Sequence, residues 1–382
     1  MRYLLALLLL PSVAVAEPRP KVKVALGEGV SVETADGKER IDIRARLQLR
    51  ASQFSEDAGD PPNVTEFLAR RIRLLVQGHV LDGELTYYLQ LAFSNPDNEP
   101  DRLVPTRDAY MTFKRWRDLN IRWGQMKVPF GRQRVVSSSA LQMVDRSEVL
   151  GELNLDRDVG IQLLSEDLGG LDGVLGYHLG VFHGDGRNRV ATEPGVLVVG
   201  RLVVRPMGKF DDNEEADHEH NPTPKLAIGI GAAYNDNTPR ARSTLGDFEA
   251  ARFDYRHAAA DLVFKWRGLS VQSEVLYRKA NEQFIDVVVD GMDVRAESRN
   301  AWGFYAQAGF LFDEHVELTA RYGELHPIGS EGAITARERE IGGGLNYYWQ
   351  QHDLKIQSDY FLLTEEGSDA EHQIRVQSQI YF

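Results

Sequence analysis

The sequence predicts an all-β chain, a transmembrane antiparallel β-barrel of about 16 strands with an inward-folded third loop. Three observations predict it. The last strand alternates Ile374, Val376, Ile380 and Phe382 on one face with Arg375, Gln377, Gln379 and Tyr381 on the other, and ends at the terminal aromatic. That dyad suits a strand with lipid on one side and water on the other. Strand-like segments recur from residue 40 onward, with connections that alternate between short and long. The N-terminus reads as a secretory signal over 1–16: Arg2, an apolar run from Leu4 to Leu10, and a small-x-small site at Ala14-Val15-Ala16. The run is too short, and too soon broken by Pro11, to be a transmembrane helix. Cleavage there leaves an N-terminal periplasmic segment, 17–39, and a single barrel domain, 40–382.

The totals agree with this class. Formal net charge is −13, mean hydropathy is −0.36 and Cys is absent. No later apolar run is long enough for a membrane helix, so a membrane chain of this composition must close as a barrel. Without Cys there is no disulfide framework and no thiolate metal site. The acidic total argues against a nucleic-acid partner. No nucleotide-binding loop or other cofactor signature is present, so none is expected. The strand ending at Phe382 implies delivery by the barrel-assembly machinery to the bacterial outer membrane. Lipid and lipopolysaccharide would contact its outer face.

The segments are 40–54, 67–80, 83–93, 107–116, 119–126, 158–166, 172–183, 196–206, 224–236, 254–266, 269–278, 300–312, 316–324, 336–349, 353–363 and 371–382. Short connections include Leu81-Asp82, Arg117-Asp118, Arg267-Gly268, Asp313-Glu314-His315 and Gln350-Gln351-His352. Long ones span 55–66, 94–106, 127–157, 184–195, 237–253, 279–299, 325–335 and 364–370. Short periplasmic turns and longer extracellular loops are the rule for such barrels. Residues 207–223 break the pattern. They should be a short turn, yet carry Asp211, Asp212, Glu214, Glu215, Asp217, His218, Glu219 and His220. This is a weak divalent-cation or partner-binding loop, or a solvated acidic insertion; lacking a defined ligand spacing, the second is expected. Within 17–39, Val22 to Val32 suit a short hairpin or plug-like strand.

Phase assigns the charges. In the first strand Ile41, Ile43, Ala45, Leu47 and Leu49 alternate with Arg40, Asp42, Arg44, Arg46, Gln48 and Arg50. An Arg facing lipid at the midplane costs about 2–4 kcal/mol, so the Arg face must look into water. The same reasoning turns Arg71, Arg73, Lys114, Arg122, Arg201, Arg205, Arg321, Lys355 and Arg375 inward, and leaves Arg70 out of phase at the membrane boundary. Inward acids are fewer: Asp42, Asp108, Asp261, Glu274, Glu317 and Asp359. The lumen is therefore expected to be net basic, with the Arg residues either meeting solute or bracing the wall. Trp123, Trp266, Trp302, Phe310, Tyr347 and Trp349 fall on lipid-facing phases or near strand ends, as an aromatic girdle requires.

The 127–157 connection is the longest. It opens on Gly124-Gln125-Met126-Lys127-Val128-Pro129-Phe130-Gly131, continues through Ser137-Ser138-Ser139 and Asp145-Arg146-Ser147, and closes on Arg157-Asp158-Val159-Gly160. With Arg107-Asp108-Ala109-Tyr110 before it, this stretch resembles the phosphate-selective porin O and P family, most sharply over 67–165. The resemblance implies a homotrimeric porin whose third loop lines the constriction, with Arg side chains guiding anions. Lys127, Arg132, Arg134 and Arg146 lie in or beside the matching loop as anion contacts. Asp145, Glu148, Glu152 and Asp156 give the same loop mixed charge. The family's phosphate site does not map position by position, so the expectation is a broader anion preference, for phosphate, polyphosphate or other oxyanions.

A barrel this wide holds a water-filled channel, and transport would be passive. The candidate pore-lining set is Arg44, Arg46, Arg50, Arg71, Arg73, Lys114, Arg122, Lys127, Arg132, Arg134, Arg146, Arg201, Arg205 and Arg321. The rivals are a general-diffusion or cation-preferring porin, an occluded structural or adhesin barrel, and a barrel enzyme. The last would need Ser, His and acid brought together, and no such arrangement stands out.

Overall fold

A computed structural model describes residues 19–57, 63–99, 103–189, 193, 195–329 and 335–382; the expected signal segment 1–16 lies outside these. The strands are β1 (Lys21–Ala25), β2 (Gly29–Glu33), β3 (Arg40–Glu56), β4 (Val64–Val80), β5 (Leu85–Ala92), β6 (Thr106–Trp116), β7 (Leu119–Lys127), β8 (Arg157–Ser165), β9 (Leu175–Phe182), β10 (Val196–Val204), β11 (Lys225–Arg242), β12 (Leu245–Trp266), β13 (Leu269–Ala280), β14 (Phe284–Val289), β15 (Met292–Glu297), β16 (Ala301–Leu311), β17 (Val316–Pro327), β18 (Glu338–Gln350), β19 (Leu354–Glu365) and β20 (Glu371–Tyr381). Sixteen of them, β3 to β13 and β16 to β20, form a closed antiparallel barrel. It closes where β20 pairs with β3, from Glu371 opposite Glu56 to Tyr381 opposite Arg46. Closure leaves no edge, so every wall strand finds its backbone partners within the ring.

Alternation sorts the side chains as the sequence predicts. On β3, Ile41, Ile43 and Leu49 are exposed outward, whereas Asp42, Arg46, Gln48, Arg50 and Ser52 are buried inside. On β20, Ile374 and Val376 are exposed, and Gln373, Arg375, Gln377 and Gln379 are buried. Trp116, Trp266, Phe310, Phe312, Tyr347 and Trp349 are exposed near the short-turn end, one belt of the girdle.

β1 and β2 make the hairpin expected in 17–39. β2 pairs with β3 from Val30 opposite Ile43 to Glu33 opposite Arg40. It thus takes up the stretch of β3 that β20 leaves free, and the Gly27 amide donates to the Tyr381 carbonyl.

Two of the expected long loops are largely strand. β11 and β12 continue through most of 237–253 to a tight turn at Ser243-Thr244, with register shifts between Asn235 and Arg242. The 279–299 stretch forms the β14–β15 hairpin around Asp290-Gly291, both at positive φ, as a two-residue hairpin turn favours. Ile285 and Val287 of β14 pack against the cluster of Ala251, Phe253, Tyr255, Ala280 and Ala296, so the hairpin folds back on the extended β11–β12 ribbon instead of forming an open loop.

A β-bulge corrects the placing of Arg70. Gln48 pairs with Arg71 and Leu49 with Ala69, so Arg70 is the extra residue. The bulge turns Arg70 and Arg71 toward the interior together, and Arg70 leaves the membrane boundary.

Val376 lies at the centre of β20 on the lipid face. Val376→Arg is expected to destabilise the barrel by about 2–4 kcal/mol, measured as reversible denaturant unfolding from liposomes; unchanged stability would contradict the outward assignment.

Candidate functional site: a basic cavity over the third loop

The opening motif is what launches the 128–156 connection into the lumen. Gly124 has φ +123° and a side chain there would sit 2.2 Å from the Ala109 carbonyl, so only glycine fits. The Gln125 amide donates to the carbonyls of Thr106 and Arg107 at 3.1 and 3.0 Å. Val128 and Phe130 are fully buried. At Gly131 a side chain would lie 2.3 Å from Glu274 Oε1. Its absence lets the Glu274 carboxylate accept the amides of Arg132 and Gln133, at 3.0 and 3.2 Å, where the short helix α1 (Arg132–Val135) begins.

From there the loop crosses the barrel. Met126, Val128, Phe130, Val149, Leu150, Leu153 and Leu155 pack against Phe182, Leu197, Val199, Ala233, Ala259, Leu276, Ala301 and Leu325. Those wall residues point inward from β9 to β17, and three of them are alanines that make room for the loop. Polar contacts fix the remainder. The Val144 amide donates to Asp359 at 2.9 Å, Lys355 to the Leu141 carbonyl at 2.8 Å, and Asn346 to the Gln142 carbonyl at 2.8 Å. Glu152, in helix α2 (Glu148–Leu153), pairs with Arg278 and Arg299.

The acidic connection is not the solvated insertion expected. Asp212, Glu215, Ala216 and Asp217 are buried, with Glu215 at 2 % exposure. The connection folds up into the barrel and meets the third loop from the periplasmic side. Glu215 accepts the Gln142 amide at 2.8 Å, and its own amide donates to the Ala140 carbonyl. Asp212 and Asp261 hold Arg132, the latter at 2.6 Å. The charges read as a solvated run are instead partners for donors that arrive from distant chain segments.

Outward of the loop lies a cavity of 1220 Å³. Among the described residues, thirteen Arg and Lys side chains line it against eight Asp and Glu. Six of the fourteen candidates are among them: Arg50, Arg71, Arg73, Lys127, Arg134 and Arg146. Arg50 and Arg71 both reach Asp145, at 2.6 and 3.1 Å. Arg73 makes a fork-to-fork pair with Asp97, at 2.6 and 2.8 Å. Arg134 pairs with Asp156. Lys127 donates to the Val135 carbonyl at 2.7 Å, and Arg146 to the carbonyls of Gln133 and Val136. Burial would raise the Asp145 carboxyl, but Arg50, Arg71 and Arg70 outweigh it and hold it well below the usual carboxylate range.

The other eight candidates lie outside the cavity lining. Arg132 and Arg201 share Asp261, Arg205 pairs with Asp212 at 3.0 Å, and Arg321 with Glu340 at 3.2 Å. In this structure those four brace the wall, the loop and the connection. Arg46 is 3 % exposed and touches the Ser137 hydroxyl at 3.3 Å, while its Nε and Nη2 have no hydrogen-bond partner among the described residues. Arg44 lies 6.0 Å from the Tyr381 ring, Arg122 stacks 4.7 Å over Tyr110, and Lys114 is exposed near the short-turn end of β6.

Sequence reasoning left Arg70, Arg107, Arg157, Arg187, Arg240, Arg242 and Arg375 out of the candidate set, and all seven line the cavity. Arg375 was in the inward phase. Arg107 and Arg157 flank the recognised stretch, at strand ends next to inward Asp108, which Arg157 clasps at 2.9 and 3.0 Å. Arg187, Arg240 and Arg242 belong to extracellular structures without a dyad, where phase carries no signal.

A family model described as phosphate-selective porin O and P matches residues 41–382. The chain belongs to that family. A protein of Aquifex aeolicus (strain VF5), described only as uncharacterized, is 21% identical over the whole chain and 99% of its own length. Among solved structures, an anion-selective porin from Comamonas acidovorans aligns with a TM-score of 0.58 at 12% identity, over 90% of this chain and 100% of that one. The outer membrane channel DcaP of Acinetobacter baumannii gives 0.58 at 12% identity, over 90% and 97%. The trimer form of OmpT from Vibrio cholerae gives 0.53 at 9% identity, over 90% and 99%. The protein is thus a porin of the bacterial outer membrane, and family and fold point to a channel rather than an enzyme.

In this porin the single charge of Asp145 offsets part of the positive charge of Arg50, Arg70 and Arg71 at the cavity. Asp145→Asn is expected to raise the anion-to-cation permeability ratio, read from the reversal potential in a salt gradient; an unchanged ratio would place the cavity off the conduction path.

Proposed function

We propose that this porin passes phosphate and related oxyanions in preference to cations, by passive diffusion through the basic side of its lumen. The observation that carries the reading is the excess of guanidinium and ammonium groups around the cavity. One such charge about 10 Å from a unit anion contributes roughly 0.4–1.7 kcal/mol, for effective dielectrics between about 80 and 20. A surplus of several cations therefore enriches anions by about tenfold or more. Arg suits oxyanions because its planar fork presents two N–H groups to two oxygens.

The two halves of the lumen differ in a way that supports a path. The third loop fills the side walled by β9 to β17 with apolar contacts. On the side of β3 to β8, Arg46 stands opposite Arg73 in register, and its Nε and Nη2 meet no acceptor among the described residues. Arg44, Arg122 and Lys114 follow toward the periplasm. Ions would leave the cavity past Arg46 and move along these sites, and conduction requires each to be weak enough for release. A homotrimer is part of the proposal, supported by the trimer form of the Vibrio cholerae OmpT, a structure of the same fold.

In planar bilayers the protein is expected to give stepwise conductance with an anion-selective reversal potential, and millimolar phosphate should reduce chloride current. Arg46→Gln and Lys127→Gln should each weaken that block several-fold. Equal anion and cation permeability would make this a general-diffusion pore, and cation-selective current would overturn the reading.

A further inference from the structure

The inserted connection brings two histidines and a carboxylate together at the periplasmic rim, away from the cavity. His218 Nε2 lies 3.5 Å from Glu214 Oε1, and His352 Nε2 lies 3.2 Å from the same oxygen. The three ligand atoms fall within 4.8 Å of one another. Zinc bonds of about 2.0–2.1 Å in a tetrahedron place neighbouring ligand atoms roughly 3.3–3.4 Å apart, close to these two separations. The His218 side chain is 2 % exposed and that of His352 9 %. Yet neither Nε2 has a hydrogen-bond partner of acceptable geometry among the described residues. Two buried imidazole nitrogens aimed at one carboxylate oxygen, and satisfied by nothing else, are a costly arrangement unless something occupies the point they share.

We propose that Glu214, His218 and His352 form a binding site for a divalent transition-metal ion of the zinc class. Two imidazoles and a carboxylate suit zinc, cobalt or nickel, and are a poor set for calcium or magnesium, which take all-oxygen shells. The rings are held in place beforehand. His218 packs edge-on against Tyr348 at 4.5 Å and against His352 at 4.9 Å. Lys355 Nζ lies 3.0 Å from His352 Nδ1, and an ion on Nε2 would require that ring to carry its proton on Nδ1, facing Lys355. Glu214 keeps 20 % exposure, which gives water access for the ion and for a fourth ligand. Glu214 and His218 belong to the connection between β10 and β11, and His352 to the turn between β18 and β19. A bound ion would staple the inserted connection to the opposite rim of the barrel.

The test uses the full-length protein in detergent micelles, stripped with chelator and titrated with zinc by calorimetry and with cobalt(II) by visible absorption. One ion per chain is expected, with a cobalt spectrum of low coordination number. His218→Ala and His352→Ala should each weaken zinc binding by about tenfold or more, while His372→Ala, at the extracellular end, should leave it unchanged. Glu214→Gln, which keeps the shape of the side chain, should produce the same loss in a variant whose folding is checked by its channel conductance. Absence of saturable binding in the parent, or equal affinity in parent and Glu214→Gln, would overturn the site.

Discussion

A wall strand in lipid has no water to satisfy its amides and carbonyls, so the ring must close, and the pairing of β20 with β3 is the contact on which the rest depends. Closure fixes which alternate residues face hydrocarbon and which face the lumen. It also creates an interior too wide for wall side chains alone to fill. What enters that interior, and on which side, decides what the barrel does.

Two segments enter, from opposite ends, and they meet. The third loop presents an apolar face to the wall of β9 to β17, where Ala233, Ala259 and Ala301 leave space for it. The acidic connection rises beneath and supplies Asp212 and Glu215 to the loop's Arg132, Gln133 and Gln142. Buried carboxylates and guanidinium groups on this scale are tolerable only in pairs, since removing one partner from a buried pair costs about 3–5 kcal/mol. The pairing thus makes the loop, the connection and the wall a single interlocked body. It also leaves the lumen lopsided, packed on one side and basic on the other.

The basic side is not a bare row of charges. Asp97, Asp145 and Asp156 come from extracellular loops and the third loop to hold Arg73, Arg50, Arg71 and Arg134 in fixed rotamers. The pairing spends part of the field but presents the remaining N–H groups in a defined direction. A weak, oriented surplus suits a conduit better than a strong, mobile one, because ions must leave as readily as they enter.

The sequence by itself determined the closed wall: the dyads of β3 and β20 and the alternation of turn and loop lengths follow from a period of two and a lipid boundary, both local properties. It also showed which Arg residues on those strands point inward, and the Gly124 to Gly131 stretch marked where the third loop departs. It failed where the deciding partner was distant. Arg201 and Arg50 looked alike in phase, and Arg132 entered as a third-loop anion contact; only the fold sets Arg132 and Arg201 around Asp261 and Arg50 beside Asp145 at the cavity. Arg70 was out of phase until a bulge, a pairing property of two strands, turned it inward. The run from Asp211 to His220 read as solvated because acidic clusters usually are. Its burial depends on donors some 80 residues earlier, at Arg132 and Gln133. Local periodicity encodes the face of a strand, whereas charge neutralisation belongs to whatever the tertiary structure brings within hydrogen-bond reach.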